Sequence, residues 1–167
     1  MSLITNDYEA YIFIKNHLLK QNEKALSDTE DCQYRGFSSS SIDTLKDEAS
    51  IIATDDDKFH DEQISDIFYE LYYNAVPDLK CAVGCLILDS FYDPNIEGTA
   101  ISTNDAVWEA VVKSNPAWPL TDKSFHMLKA LQNVHDSVFP DIWEPALNKM
   151  NDSFNQYGDY EPTKEKE

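Results

Sequence analysis

The stretch DEQISDIFYELYYNAVPD, Asp61 to Asp78, holds five acids and no Lys or Arg. Ile64, Ile67, Phe68, Leu71 and Ala75 fall at i, i+3, i+4, i+7 and i+11, so one apolar stripe runs down a helix. At about 100° per residue, Glu62, Asp66 and Glu70 lie in a sector opposite Ile64, Phe68 and Leu71. Successive members of that row rise about 6 Å along the axis. That rise is on the order of the separation between phosphates along a nucleic-acid strand, whose axial rise is about 3.4 Å per strand. A solvated helical face ordinarily mixes Lys with Glu, and this one carries no Lys.

Helical spacing extends outward from this segment in both directions. Upstream, Tyr8, Ile12, Leu18 and Leu19 give Asn6–Gln21 an amphipathic pattern. Between the two, Ala25–Lys58 reads as a long irregular insertion, with at most a short helix around Ile42–Ile52. Downstream, Pro77 can open a further helix with Leu79, Ala82, Val83, Leu86 and Ile87 buried, which the pattern makes the central one. Asp93–Gly98 is a turn. Thr103 or Asn104 can cap a helix to about Lys113, stopped by Asn115–Pro116. Thr121 can cap another to about Val138. Pro140 starts the last, striped by Ile142, Trp143, Ala146, Leu147, Met150 and Phe154. The fold class is all-α, as one domain over residues 1–157 with the irregular insertion near 25–58, and a polar, frayed tail over 158–167.

Charge bounds the function. Thirty-one acids against thirteen Lys and Arg give a formal charge of −18 over 167 residues. Direct binding to DNA, RNA or anionic lipid is disfavoured by repulsion, so any partner should be basic. The acids are spread along the chain and coincide with helical periodicity, which places them on a folded surface and not in a tail. The longest apolar run, Cys81–Leu88, is too short for a membrane span, and no secretory signal is visible; with three unpatterned cysteines, the expectation is a cytoplasmic protein.

Chemical constellations are thin. Cys81 and Cys85 are four apart but lack further ligands at zinc spacing, which favours small buried residues. His60–Asp61 and His135–Asp136 resemble the dipeptides of metal phosphohydrolases, with His17 and His126 as further ligands, although acids this frequent make such pairs common. Ser38–Ser41 has no glycine elbow and reads as a polar loop. Trp108, Trp118 and Trp143 belong to apolar stripes. No catalytic residue, metal site or cofactor is expected.

At NAVP, Asn74 to Pro77, preceded by the acidic helix, the sequence resembles the Ocr family of phage antirestriction proteins. DIWEPALNKMNDSF, Asp141 to Phe154, is similar to that family's C-terminal helix, and TDKSFHMLKAL is a weaker match. The resemblance implies a homodimeric helical protein that imitates bent DNA and fills the DNA groove of type I restriction–modification or related defence enzymes in the host cytoplasm. Asp61, Glu62, Asp66, Glu70, Asp141, Glu144 and Asp152 fall in the acidic segments and would stand in for phosphates. The chain departs from the family in its additions over Ala25–Lys58 and Asp93–Trp118, and in a tail, EPTKEKE, of alternating sign. The alternatives are an acidic adaptor or immunity-type protein on a basic partner, and a metal-dependent hydrolase built on the His-Asp pairs.

Overall fold

The computed structural model describes residues 3–27, 33–53, 60–101 and 106–161. It is predominantly helical. Helix α1 spans Asp7–Gln21 and is capped by the Asn6 side chain, which accepts from the Glu9 amide; Asn22, in the left-handed region, ends it. Asn tolerates that conformation at a helix terminus better than most residues. Helix α5, Asp122–Ser137, starts at Thr121 with a reciprocal box between Thr121 and Ser124. Helix α4, Ala106–Ser114, and the short α6, Trp143–Asn148, complete the main body. Helix α1 packs on α5 and α6. Their core includes Tyr11, Ile14, Leu18, Leu128, Leu131, Trp143 and Leu147, all fully buried.

The run expected to form the central helix is instead the least helical part of the core. Leu79–Lys80 is strand β2, paired antiparallel with β1, Arg35–Gly36, and Gly84–Leu86 is a single tight turn. Every residue from Cys81 to Ile87 is buried. The segment lies inside, as its apolar run predicts, but its backbone is not helical. An apolar run of eight has no exposed face, so periodicity cannot distinguish a helix from a buried turn. Gly84 explains the choice: a Cβ there would overlap the Tyr34 carbonyl oxygen, so the turn lies against the β1 strand as only glycine permits.

A second correction concerns the insertion. Residues Ser39–Ile52 form helix α2, longer than the short helix expected, and Ser38 caps it by accepting from the Ser41 amide. Helix α3 spans His60–Asn74, and α2 and α3 pack chiefly on each other. No residue of either helix belongs to the main core. They share a small core of their own, in which Ile42, Ala49 and Phe68 are buried, and Phe37 meets the Tyr72 ring at 4.9 Å. The chain enters this two-helix arm from β1 and leaves it into β2, so the ribbon of Arg35↔Lys80 and Gly36↔Leu79 closes its base.

Two further expectations change. Ile142 lies in a turn, Pro140–Ile142, and is 50% exposed, because the last helix begins only at Trp143. Residues 158–161, expected to fray, are fastened: Tyr8 donates its amide to Gly158 O, Tyr160 is buried, and Glu161 donates to Ser153 O. The expected caps Thr103 and Asn104 lie outside the described residues, as does the end of the tail. Among the described residues no helix is long and apolar enough to cross a membrane.

Candidate functional site: the outer face of the arm

Helix α3 is positioned by its apolar side. Phe68 is buried against α2, with Ile64, Ile67 and Leu71 half-buried beside it. Asp61 and Glu62 occupy the first turn, where carboxylates are favoured by the helix dipole. With the apolar stripe facing α2, Asp61, Glu62, Asp66 and Glu70 are all exposed, as the sequence predicts. None of the four takes part in an ion pair among the described residues. Residues 39–74 hold ten acids and two bases, so this fifth of the chain carries a disproportionate share of the charge. Like charges at i, i+4 spacing destabilise a helix by a few tenths of a kcal/mol each. For Asp66 and Glu70, which lie beyond the first turn, keeping them unrelieved has a stability cost without the dipole's compensation.

The arm is anchored by another carboxylate. Asp78 accepts from the Ser38 amide at 3.0 Å, the Ser38 hydroxyl at 3.1 Å and the Ser41 hydroxyl at 2.9 Å. This gives the serine run a structural role: it caps α2 and ties its start to the chain just beyond α3. Asp78→Ala removes three acceptor contacts at the root of the arm. The expected result is faster amide exchange throughout α2 and α3, by about tenfold or more, with α1 and α5 unchanged. Equal acceleration in α1 would show that the arm does not open independently.

The other predicted acids sit elsewhere. Asp141, Glu144 and Asp152 are exposed, but on the segment around α6, which packs on α1 and α5, while α3 packs on α2. The structure therefore places the seven residues in two groups on separate packing units. The second group adjoins exposed Phe139 and Ile142.

Two tyrosines on α3 escaped the sequence reading. Tyr73 is 77% and Tyr69 40% exposed, and their rings stack at 6.2 Å with an interplanar angle of 24°. The same angular arithmetic that aligns Glu62, Asp66 and Glu70 puts Tyr73 between Glu62 and Asp66 in projection and Tyr69 about 20° beyond Glu62, at the edge of the row. That signal was present in the sequence.

The remaining chemistry-bearing groups have structural partners. His135 is fully buried: Nδ1 lies 2.8 Å from Asp136 Oδ1, Nε2 accepts from the Ala25 amide at 3.4 Å, and the ring stacks on Trp143. His17 Nε2 lies 2.9 Å from Lys80 O, and burial lowers its pKa. The side chain of His60 lies outside the described residues. Among the described residues no three His, Cys, Asp or Glu side chains are grouped to hold a metal ion. Cys81 and Cys85 are free thiols whose pKa burial pushes well above the usual range, the opposite of a reactive cysteine. Glu97 accepts from the Tyr34 and Arg35 amides and the Tyr92 hydroxyl, which bolts β1 to the body. An open cavity of about 500 Å³ is lined by Tyr34, Gly98–Ile101, Lys129, Gln132 and Asp136. Asp136 Oδ1 there already accepts from Gln132 and faces His135 Nδ1.

Comparison with protein-family models, with characterised proteins and with solved structures yields no match.

Proposed function

We propose that this chain is a binding protein and not an enzyme: a DNA-mimic inhibitor that fills the DNA groove of a host restriction–modification or related defence enzyme. The observation that carries this reading is the row Glu62, Asp66 and Glu70, exposed along one face of α3 and without ion pairs among the described residues. Such a row engages the Lys and Arg that contact DNA backbone, and its association releases counterions. No base is read, so enzymes of different sequence specificity are blocked alike. The resemblance to the Ocr family adds a phage source, action in the host cytoplasm and a homodimeric unit.

A second reading, an acidic adaptor on a basic partner, is favoured by Tyr69 and Tyr73, since a phosphate lattice has no counterpart of an exposed ring. Both readings are tested by titrating the chain into a type I restriction enzyme bound to a fluorescent, nonspecific duplex. Mimicry predicts displacement of the duplex, with a competing affinity that falls steeply between 50 and 200 mM salt, by about 10³-fold if half a dozen contacts form. A ternary complex of enzyme, duplex and chain would refute mimicry and favour the adaptor.

A further inference from the structure

We propose that the outer face of α3 is read by arginine side chains of its partner, with Tyr69 and Tyr73 as stacking platforms set among the carboxylates of Glu62, Asp66 and Glu70. The inference rests on the proposed function in one respect, that the partner is basic.

Among the described residues nothing covers this helix face. Tyr73 is 77% exposed, Val76 beyond it 86%, and Tyr69 40%, while the opposite face is spent on α2. Tyr69, Tyr73 and Val76 are exposed together and not singly, and tyrosine is enriched among residues that dominate interfaces. Charge decides the occupant. With ten acids and two bases over residues 39–74, a second copy of the arm would meet like charge with like. A basic protein surface is complementary.

Arginine fits this combination better than lysine. Its planar guanidinium can pair with a carboxylate along one edge and lie flat on a ring, whereas an ammonium is a compact, strongly hydrated point charge. The chain contains its own example. Arg35 lies over the Tyr92 ring at 3.9 Å and pairs with Asp89 at 2.6 Å. The α3 face offers the same two elements, ring and carboxylate, with the cation missing. Binding there has two parts: an ionic one that salt weakens, and a stacking one that salt leaves largely intact.

The test uses nona-arginine and nona-lysine, equal in charge, titrated calorimetrically into the full chain from 50 to 500 mM salt. Wild type should bind nona-arginine about 5- to 30-fold more tightly, and the ratio should persist at high salt. The Y69A/Y73A variant should lose that ratio while keeping its nona-lysine affinity, and Y69F/Y73F should retain it. Tyr157→Ala removes a ring that is 74% exposed elsewhere on the chain and should change nothing. Circular dichroism of each variant verifies the helical fold. Equal affinity for the two peptides in wild type, absence of binding to either, or a ratio that survives in Y69A/Y73A would each overturn the proposal. A ternary complex with duplex DNA, by contrast, would refute mimicry and leave the peptide ratio untouched.

Discussion

Asp7→Ala is expected to lower the stability of the fold by about 3 kcal/mol, the largest effect of any single substitution foreseen here. Asp7 is 4% exposed and sits in the first turn of α1. One carboxylate oxygen accepts from Trp118 Nε1 at 2.9 Å and from the Ser124 hydroxyl at 2.6 Å, and the other from the Tyr160 amide at 2.9 Å. Three parts of the chain distant in sequence thus converge on one side chain. Hydrogen bonds to a charged acceptor contribute about 1.5–3 kcal/mol each, so simple addition gives a larger loss. Asp7 also lines an open cavity with Asn6, Trp118 and Tyr157, so water can replace part of what is removed. For a chain of this size the loss corresponds to a melting temperature lower by roughly 6–12 °C. Asp7→Asn retains an acceptor oxygen and the side chain's shape, and should lose less than half as much. A thermal and urea denaturation series decides the matter, and a loss below about 1 kcal/mol for alanine would mean that the convergence is incidental.

The second large effect concerns binding. Reversing Glu62, Asp66 and Glu70 together to lysine should weaken association with the basic partner by roughly 10²-fold at 100 mM salt, since each exposed pair contributes up to about 1 kcal/mol. The slope of log affinity against log salt should flatten by up to about three. Any one reversal alone should cost only a few-fold, because the charge is distributed. The fold should be little affected, because the three carboxylates make no ion pairs among the described residues and three lysines keep like charges at the same spacing. An unchanged affinity and slope in the triple variant would remove α3 from the contact surface altogether. Reversing Asp141, Glu144 and Asp152 provides the comparison. Because α6 packs on α1 and α5 and not on the arm, its acids need not reach the same partner surface, and equal losses from both sets would require a partner that embraces both units.

How far the fold could be read beforehand depended on whether each segment had two distinguishable sides. Helices α1, α3 and α5 each bury one face and wet the other, and their apolar spacing, with the cap Thr121 for α5, locates them closely. Helix α2 was legible in part: Ile42 and Ala49 mark its buried side, but Ile51 at 83% and Ile52 at 52% exposure break the rule that aliphatics point inward. The segment Cys81–Ile87 has no wet side and so no period to read. The two-residue strands β1 and β2 are too short to carry any pattern, and the close approaches around them, Gly36 to Leu26 and Gly84 to Tyr34, are long-range events. Of the site, the carboxylates on α3 were foreseen because charge and helical phase are both sequence properties. The exposure of Tyr69 and Tyr73 depends on how narrow a strip of α3 the α2 helix covers, which helical spacing alone does not fix. Asp7 gave no warning, because the convergence of Trp118, Ser124 and Tyr160 is a long-range event.

The ribbon at the base of the arm has a consequence for modularity. Arg35 and Lys80 face each other across it, so the chain sets out on residues 36–79 and returns to within one strand spacing, about 5 Å, of where it left. Topologically the arm is an excursion, and the remainder of the protein does not depend on it for continuity. A tight two-residue hairpin turn spans the same gap, so the body can be built without the arm. Beyond the ribbon the arm is tied to the body at its root, where Phe37 pairs with Leu26 and the Ser39 amide donates to Glu23. Past those contacts, the arm's outer length is held by its own small core and not by the body.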